Sequence, residues 1–121
     1  IQGLLKRRLI PEINKAFRFD VIRAEVYRIG CYDAESSGYF RRHRDLGAPH
    51  LAYRSFALSL NLNTGDYEGG HIRFPEFGPG LYQPPLGGGV VFSCSLLHEA
   101  LPVTKGRRFA LFTFFSGKTL E

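Results

Sequence analysis

His43, Asp45 and His98 are the residues of this chain whose types and spacing could do chemistry. The first two stand in Phe40-Arg41-Arg42-His43-Arg44-Asp45, and the third in Leu96-Leu97-His98-Glu99-Ala100. Two neutral imidazoles and one carboxylate on a single face of an octahedron hold a ferrous ion firmly and leave the remaining positions open for reactants. Arg108 follows in Gly106-Arg107-Arg108. A buried guanidinium is costly unless paired, and its natural partner is a carboxylate that it grips through parallel hydrogen bonds. Together the four side chains would suit a metal centre working beside a dicarboxylate.

Each piece alone is weak. A His-x-Asp pair occurs by chance in many chains, and a lone His98 could be a satisfied core histidine. The geometry nevertheless favours convergence. Residues two apart on an extended segment project to the same side, so His43 and Asp45 can share a ligand, and the third donor must then come from another strand. Arg107 and Arg108 on one strand point to opposite faces. Arg108 shares its face with Ala110 and Phe112, which would continue a protein interior, and Arg107 should be solvated.

The elements that must position these residues are strands. Residues 1–17 carry apolar side chains at Leu4, Leu5, Leu9, Ile13 and Phe17, close to helical spacing, and Pro11 should kink the helix or start a second one. From Asp20 the texture changes: Val21–Cys31 is rich in β-branched and aromatic residues and reads as one or two strands. Residues 56–63 alternate strictly. Phe56, Leu58, Leu60 and Leu62 lie on one face, with Ala57, Ser59, Asn61 and Asn63 on the other. This predicts a half-buried strand whose small, polar face suits the wall of a ligand cavity. Thr64–Gly70 reads as a turn, His71–Phe74 as a short strand, and 75–89, dense in proline and glycine, as a long loop. Gly89–Ser93 and Arg108–Phe115 are further strands. Many short strands with Gly/Pro turns, and helix only at the start, argue for a sandwich or jelly-roll.

Composition sets the frame. The chain has 121 residues, enough for one domain with a moderate core, and no second domain or internal repeat is visible. It contains no methionine, so the natural start is expected upstream and residues 1–121 are read as a single, N-terminally truncated domain. The net charge of +5 is scattered rather than blocked, which favours a solvated surface over a nucleic-acid footprint. Cys31 and Cys94 form no metal motif and no disulfide framework; two reduced, mostly buried thiols in the cytoplasm are expected. No apolar stretch approaches membrane-spanning length. His50 and His71 read as ordinary surface or structural histidines. Gly87-Gly88-Gly89 lacks the lysine pattern of a phosphate loop and reads as a turn entering a strand.

These motifs occur in a family order. Gly38–Asp45, Glu68-Gly69-Gly70 with Phe74-Pro75, Gly89–Phe92, and His98-x-x-x-Pro102-Val103 with Arg108 resemble the iron(II)- and 2-oxoglutarate-dependent dioxygenases, in particular the prolyl 4-hydroxylase-like branch. The resemblance spans most of residues 24–116. It implies a mainly β fold, a double-stranded β-helix or jelly-roll with a supporting N-terminal helix. It implies His43, Asp45 and His98 as iron ligands and Arg108 as the partner of the distal carboxylate of 2-oxoglutarate. Fe(II), 2-oxoglutarate and O2 would be required, with ascorbate as reductant. The chain departs from the family pattern before His43, where the cosubstrate-contacting tyrosine has two candidates: Tyr32 fits the spacing better and Tyr27 is second. Where the family often places a tyrosine hydroxyl, this chain has Asn61, whose amide could hydrogen-bond 2-oxoglutarate. The substrate implied is a protein, a peptide or a small molecule, with proline, peptidyl or free, as the first guess. Specificity loops are expected at 33–38, 46–54 and 75–87. A non-catalytic jelly-roll with a vestigial site, a nucleic-acid demethylase of the same superfamily, and a cupin-like enzyme using another metal are the alternatives. Oligomeric state is not readable.

Overall fold

The computed structural model describes residues 2–35, 40–43 and 53–120, the second of these spans by its backbone. The chain opens with α1 (Gln2–Leu4) and α2 (Ile10–Phe17), joined by a wider π-type stretch over Leu5–Leu9. Pro11 lies in the first turn of α2, where its missing N–H is no loss. The helix stops at Arg18, which takes a left-handed φ of 48° while its N–H bonds the Asn14 carbonyl. The Asn14 side chain then accepts the Val21 N–H at 3.0 Å and ties the helix to the first strand.

The strands are β1 (Phe19–Ala24), β2 (Arg28–Asp33), β3 (Phe40–His43), β4 (Phe56–Asn61), β5 (Glu68–Gly69), β6 (Ile72–Arg73), β7 (Leu81–Tyr82), β8 (Gly89–Ser93), β9 (His98–Ala100), β10 (Val103–Lys105) and β11 (Arg107–Thr119). The larger sheet runs β1-β11-β4-β8, and β2 also pairs with β11. One edge of the long β11 is shared: β1 takes its C-terminal half and β2 its N-terminal half, while β4 takes the other edge. The smaller sheet runs β3-β9-β6-β7, and β5 with β10 forms a two-stranded piece. This antiparallel, mainly β architecture with its N-terminal helix is the expected jelly-roll.

The larger sheet is covered on both sides. One face carries Phe19, Phe56, Leu58, Leu111 and Phe115, which bury Ile13, Leu5, Leu9 and Ile10 of the helical segment. Each such side chain contributes about 1.5–3 kcal/mol on burial. The other face looks toward the smaller sheet, where Phe92 of β8 packs with Ile72 of β6 and with Phe74. This corrects the expectation for β4. Ala57, Ser59 and Asn61 are as buried as Phe56 and Leu58, so the strand is enclosed on both faces, not half-buried. The alternation is real, but it separates two interiors rather than interior from water.

Two further expectations change. The 75–89 segment is not all loop: Pro75–Phe77 makes a 3-10 turn and β7 adds a fourth strand to the smaller sheet. The two thiols are free, but only Cys94 is buried; Cys31 is exposed, because its neighbour Tyr32 takes the inward position on β2. Among the described residues no helix is long and apolar enough to cross a membrane.

Candidate functional site

A cavity of about 230 Å³ lies between the two sheets. The larger sheet lines it with Tyr32, Ser59, Phe92, Arg108 and Phe112, and the smaller with Ile72, His98 and Ala100. His98 begins β9, and its ring sits 4.6 Å, centroid to centroid, from Phe92 and 6.5 Å from Phe74. Its Nδ1 lies 3.1 Å from the Leu96 carbonyl oxygen. With the proton on Nδ1 this is a donated hydrogen bond that fixes the ring and leaves Nε2 with its lone pair, as a metal ligand requires.

His43 stands directly opposite His98 in the β3–β9 ladder. Directly opposed residues of an antiparallel pair have Cα atoms about 4.5–5.5 Å apart. The fold thus brings together two histidines far apart in sequence. Asp45 lies outside the described residues, as does His50. Among the described residues no three potential metal-ligating side chains cluster.

Arg108 is 2% exposed. Cross-strand register explains what surrounds it. It pairs with Tyr32 on β2, and on the β4 side Ala110 pairs with Asn61 and Phe112 with Ser59. The diagonal neighbours hold the guanidinium: its Nη2 donates to Ser59 Oγ and to Asn61 Oδ1, each at 3.2 Å. Its Cζ lies 5.1 Å from the centroid of the Tyr32 ring, within cation–π range. Burial pushes the Tyr32 phenol up to about 12, although the charge of Arg108 and a hydrogen bond to it pull the other way. Tyr32 is therefore neutral at physiological pH.

Every described partner of Arg108 is thus uncharged. Its buried Nε has no hydrogen-bond partner, and no described acid pairs with it. A dry, unneutralised cation that leaves a donor unused beside a cavity is arranged for an anion. A carboxylate entering between Arg108 and His98 would supply both the charge and the acceptor. The surroundings of Arg108 therefore fit a carboxylate of 2-oxoglutarate, and His98 offers one metal-ligating side chain in the same cavity.

Arg107 is solvated, as its strand position requires, and pairs with Asp33 at 3.1 Å. Of the two tyrosine candidates, Tyr32 lines the cavity while Tyr27 is 37% exposed. Asn61 has a different place from the one its polar position suggested. Its oxygen is taken by Arg108, and its Nδ2 donates to Tyr67 Oη at 3.0 Å and to the Pro84 carbonyl at 3.3 Å. The amide is spent on holding the arginine. Ser59 was legible only as part of the small face of β4, and Tyr67 carried no signal. The Glu-Gly-Gly segment gains a physical meaning. Gly70 adopts φ +70°, and a Cβ there would stand 3.1 Å from Arg108 Cδ, so a bulkier residue would crowd the guanidinium stem.

The antiparallel jelly-roll thus carries His98 on one wall of its cavity and a buried arginine on the other. The chain belongs to the 2OG-Fe(II) oxygenase superfamily, which residues 27–116 match. The structure is similar to that of a prolyl-4-hydroxylase from Pseudomonas putida, with 26% identity and a TM-score of 0.73 over 93% of this chain and 63% of that one. It also resembles an oxidoreductase of the 2OG-Fe(II) oxygenase family from Burkholderia pseudomallei, with 19% identity, a TM-score of 0.71, and 98% of this chain and 59% of that one covered. A viral collagen prolyl hydroxylase from Paramecium Bursaria Chlorella virus-1 shares the fold at 21% identity and a TM-score of 0.66, over 91% of this chain and 73% of that one. The chain therefore spans less than two thirds of the Pseudomonas and Burkholderia proteins. No curated protein matches it in sequence.

Proposed function

We propose that this chain is the catalytic domain of an Fe(II)- and 2-oxoglutarate-dependent dioxygenase that hydroxylates an unactivated C–H bond. The observation that carries the reading is Arg108: a buried guanidinium held only by neutral groups, its Nε unused, facing a cavity whose opposite wall is His98. Family membership supports the same reading.

In this reading His43, Asp45 and His98 hold the metal and Arg108 receives the distal carboxylate of 2-oxoglutarate. Fe(II), 2-oxoglutarate and O2, when bound, convert a C–H bond to C–OH while 2-oxoglutarate becomes succinate and carbon dioxide. The chain's own work is positional. Ser59 and Asn61 aim Nη2, which leaves Nε and the rest of the fork for the anion. Tyr32, kept protonated by burial, can donate its hydroxyl to the same carboxylate. The Leu96 carbonyl holds His98 in one tautomer. Phe92, Phe112, Phe114 and Ile72 make most of the cavity apolar and so limit water around the charges.

Peptidyl or free proline is the first substrate to test, because two of the similar structures are prolyl hydroxylases. Ascorbate is the expected reductant, and the free thiols suit a reducing compartment such as the cytoplasm. The test is succinate release from 2-oxoglutarate with iron, ascorbate and a substrate pool. His43→Ala or Asp45→Ala should abolish it, and Arg108→Ala should mainly raise the 2-oxoglutarate requirement. Unchanged turnover in the ligand variants would reject the assignment, and turnover without 2-oxoglutarate would favour a different metalloenzyme.

A further inference from the structure

The cavity holds a second cation with no assigned task. Arg28 lines it from β2, and no described residue pairs with it. Arg28, Gly30 and Tyr32 alternate onto one face of β2. Along that strand Arg28 stands opposite Phe112, whereas Tyr32 stands opposite Arg108. Four residues of extended chain separate the two rungs by about 13 Å. The five-carbon chain of 2-oxoglutarate spans only about 5 Å, from its four carbon–carbon bonds of ~1.5 Å. A cosubstrate anchored on Arg108 therefore ends well short of the Arg28 rung.

Phe112 lines the same cavity as both cations. Its ring covers Gly30, where a Cβ would come within 2.9 Å of Phe112 Cε2. Gly30, between Arg28 and Tyr32 on β2, is thus the gap that admits this ring. Arg108 is buried and held, whereas Arg28 is exposed. None of the described cavity-lining residues is acidic.

We propose that Arg28 is a specificity-determining residue that binds a carboxylate on the primary substrate. The proposal rests on the functional reading above and adds the substrate's charge to it. The carboxylate could be an acidic side chain within a peptide or the free carboxyl end of an amino acid or peptide. Both present the same planar anion to the guanidinium fork.

The test measures binding of matched probes to protein loaded with Mn(II) and 2-oxoglutarate, which keeps turnover out of the readout. One pair is acetyl-Pro-Glu-amide against acetyl-Pro-Gln-amide; the other is N-acetylproline against N-acetylprolinamide. Wild type should prefer the carboxylate member of at least one pair by about tenfold at low salt, and less as salt screens the partly exposed cation. The pair that discriminates identifies which source of carboxylate is read. Arg28→Gln should abolish the preference, and Arg28→Lys should restore part of it. Neither variant should move the affinity for 2-oxoglutarate more than about twofold, given the distance argued from strand geometry. No preference in wild type, or a preference that survives Arg28→Gln, overturns the assignment. A wild-type protein that does not bind 2-oxoglutarate instead refutes the reading beneath it, so the two failures are distinguishable.

Discussion

Replacing Arg108 by methionine separates what this residue does for the fold from what it does for a ligand. Without ligand the change should be nearly neutral. Losing the Nη2 donor leaves Ser59 Oγ and Asn61 Oδ1 unpaired, at about 1–3 kcal/mol each if neither finds a new partner. Against this, a 2% exposed charge with no described acid partner and an unused Nε disappears, and an apolar side chain of similar shape in such a place stabilises by about 1–4 kcal/mol. With ligand the balance changes. Loss of a desolvated guanidinium–carboxylate pair costs about 2–5 kcal/mol of binding, so about a hundredfold is a conservative figure. The assay is thermal unfolding with Mn(II), with and without 2-oxoglutarate at about 100 times the wild-type Kd. Wild type should gain about 2.7 kcal/mol. At about 3–5 °C per kcal/mol for a domain of this size, that is about 8–13 °C in Tm. A hundredfold weaker variant at the same concentration gains only about 0.4 kcal/mol, or 1–2 °C. An Arg108→Met protein that keeps the full ligand-dependent shift would refute the account of Arg108 as the anion site, and one that fails to fold would refute the account of its energetics.

Other predictions follow from the same geometry. Gly70→Ala should lower affinity for 2-oxoglutarate, measured by the same thermal shift, because the new Cβ presses on Arg108 Cδ from a backbone conformation that disfavours alanine. His98→Ala should leave the protein folded but reduce bound iron, measured by elemental analysis after desalting; undiminished iron would remove His98 from the ligand set. Glu25 grips Arg54 through two hydrogen bonds of 2.7 and 2.9 Å, and this pair holds its carboxyl below the ordinary value of 4.5. A lowered folded value means stability that is present above pH 4.5 and lost as pH falls through it. Glu25→Gln should therefore flatten the acid limb of a denaturant-midpoint series against pH. Tyr32 should ionise only near pH 12, and Tyr32→Phe should remove that step from an ultraviolet titration. Its raised value makes the associated stability complete below pH 10 and lost as pH climbs toward 12.

Periodicity together with the family resemblance made the mainly β fold legible in the sequence. The inward Arg108 and outward Arg107 followed from alternation alone, and so did the small face of β4. Of the two outcomes open at Pro11, a kink or a second helix, the structure shows the second, with Pro11 in the first turn of α2. Three things were not legible. Burial of β4 on both faces depends on which sheet each face meets, and the pattern of apolar against small polar residues is the same whether the second side is water or a cavity. Asn61 serving Arg108 depends on a diagonal contact across the β11–β4 register, which no local window contains. The exposure of Cys31 is set by Tyr32 beside it taking the interior, and cysteine's usual preference for burial pointed the other way.

A strand covered on both sides makes the candidate cavity and the structural core neighbours through a single backbone. Ala57, Ser59 and Asn61 cannot be enlarged by shifting β4, since Phe56, Leu58 and the helical segment behind it leave no solvent to absorb the displacement. Redesign of the reaction chamber from this wall would be felt as a loss of melting temperature before it was felt as altered selectivity. In segment 75–88 the outward-facing Phe77, Leu81, Tyr82 and Leu86 can vary without that coupling, whereas Pro84, whose carbonyl accepts from Asn61, cannot.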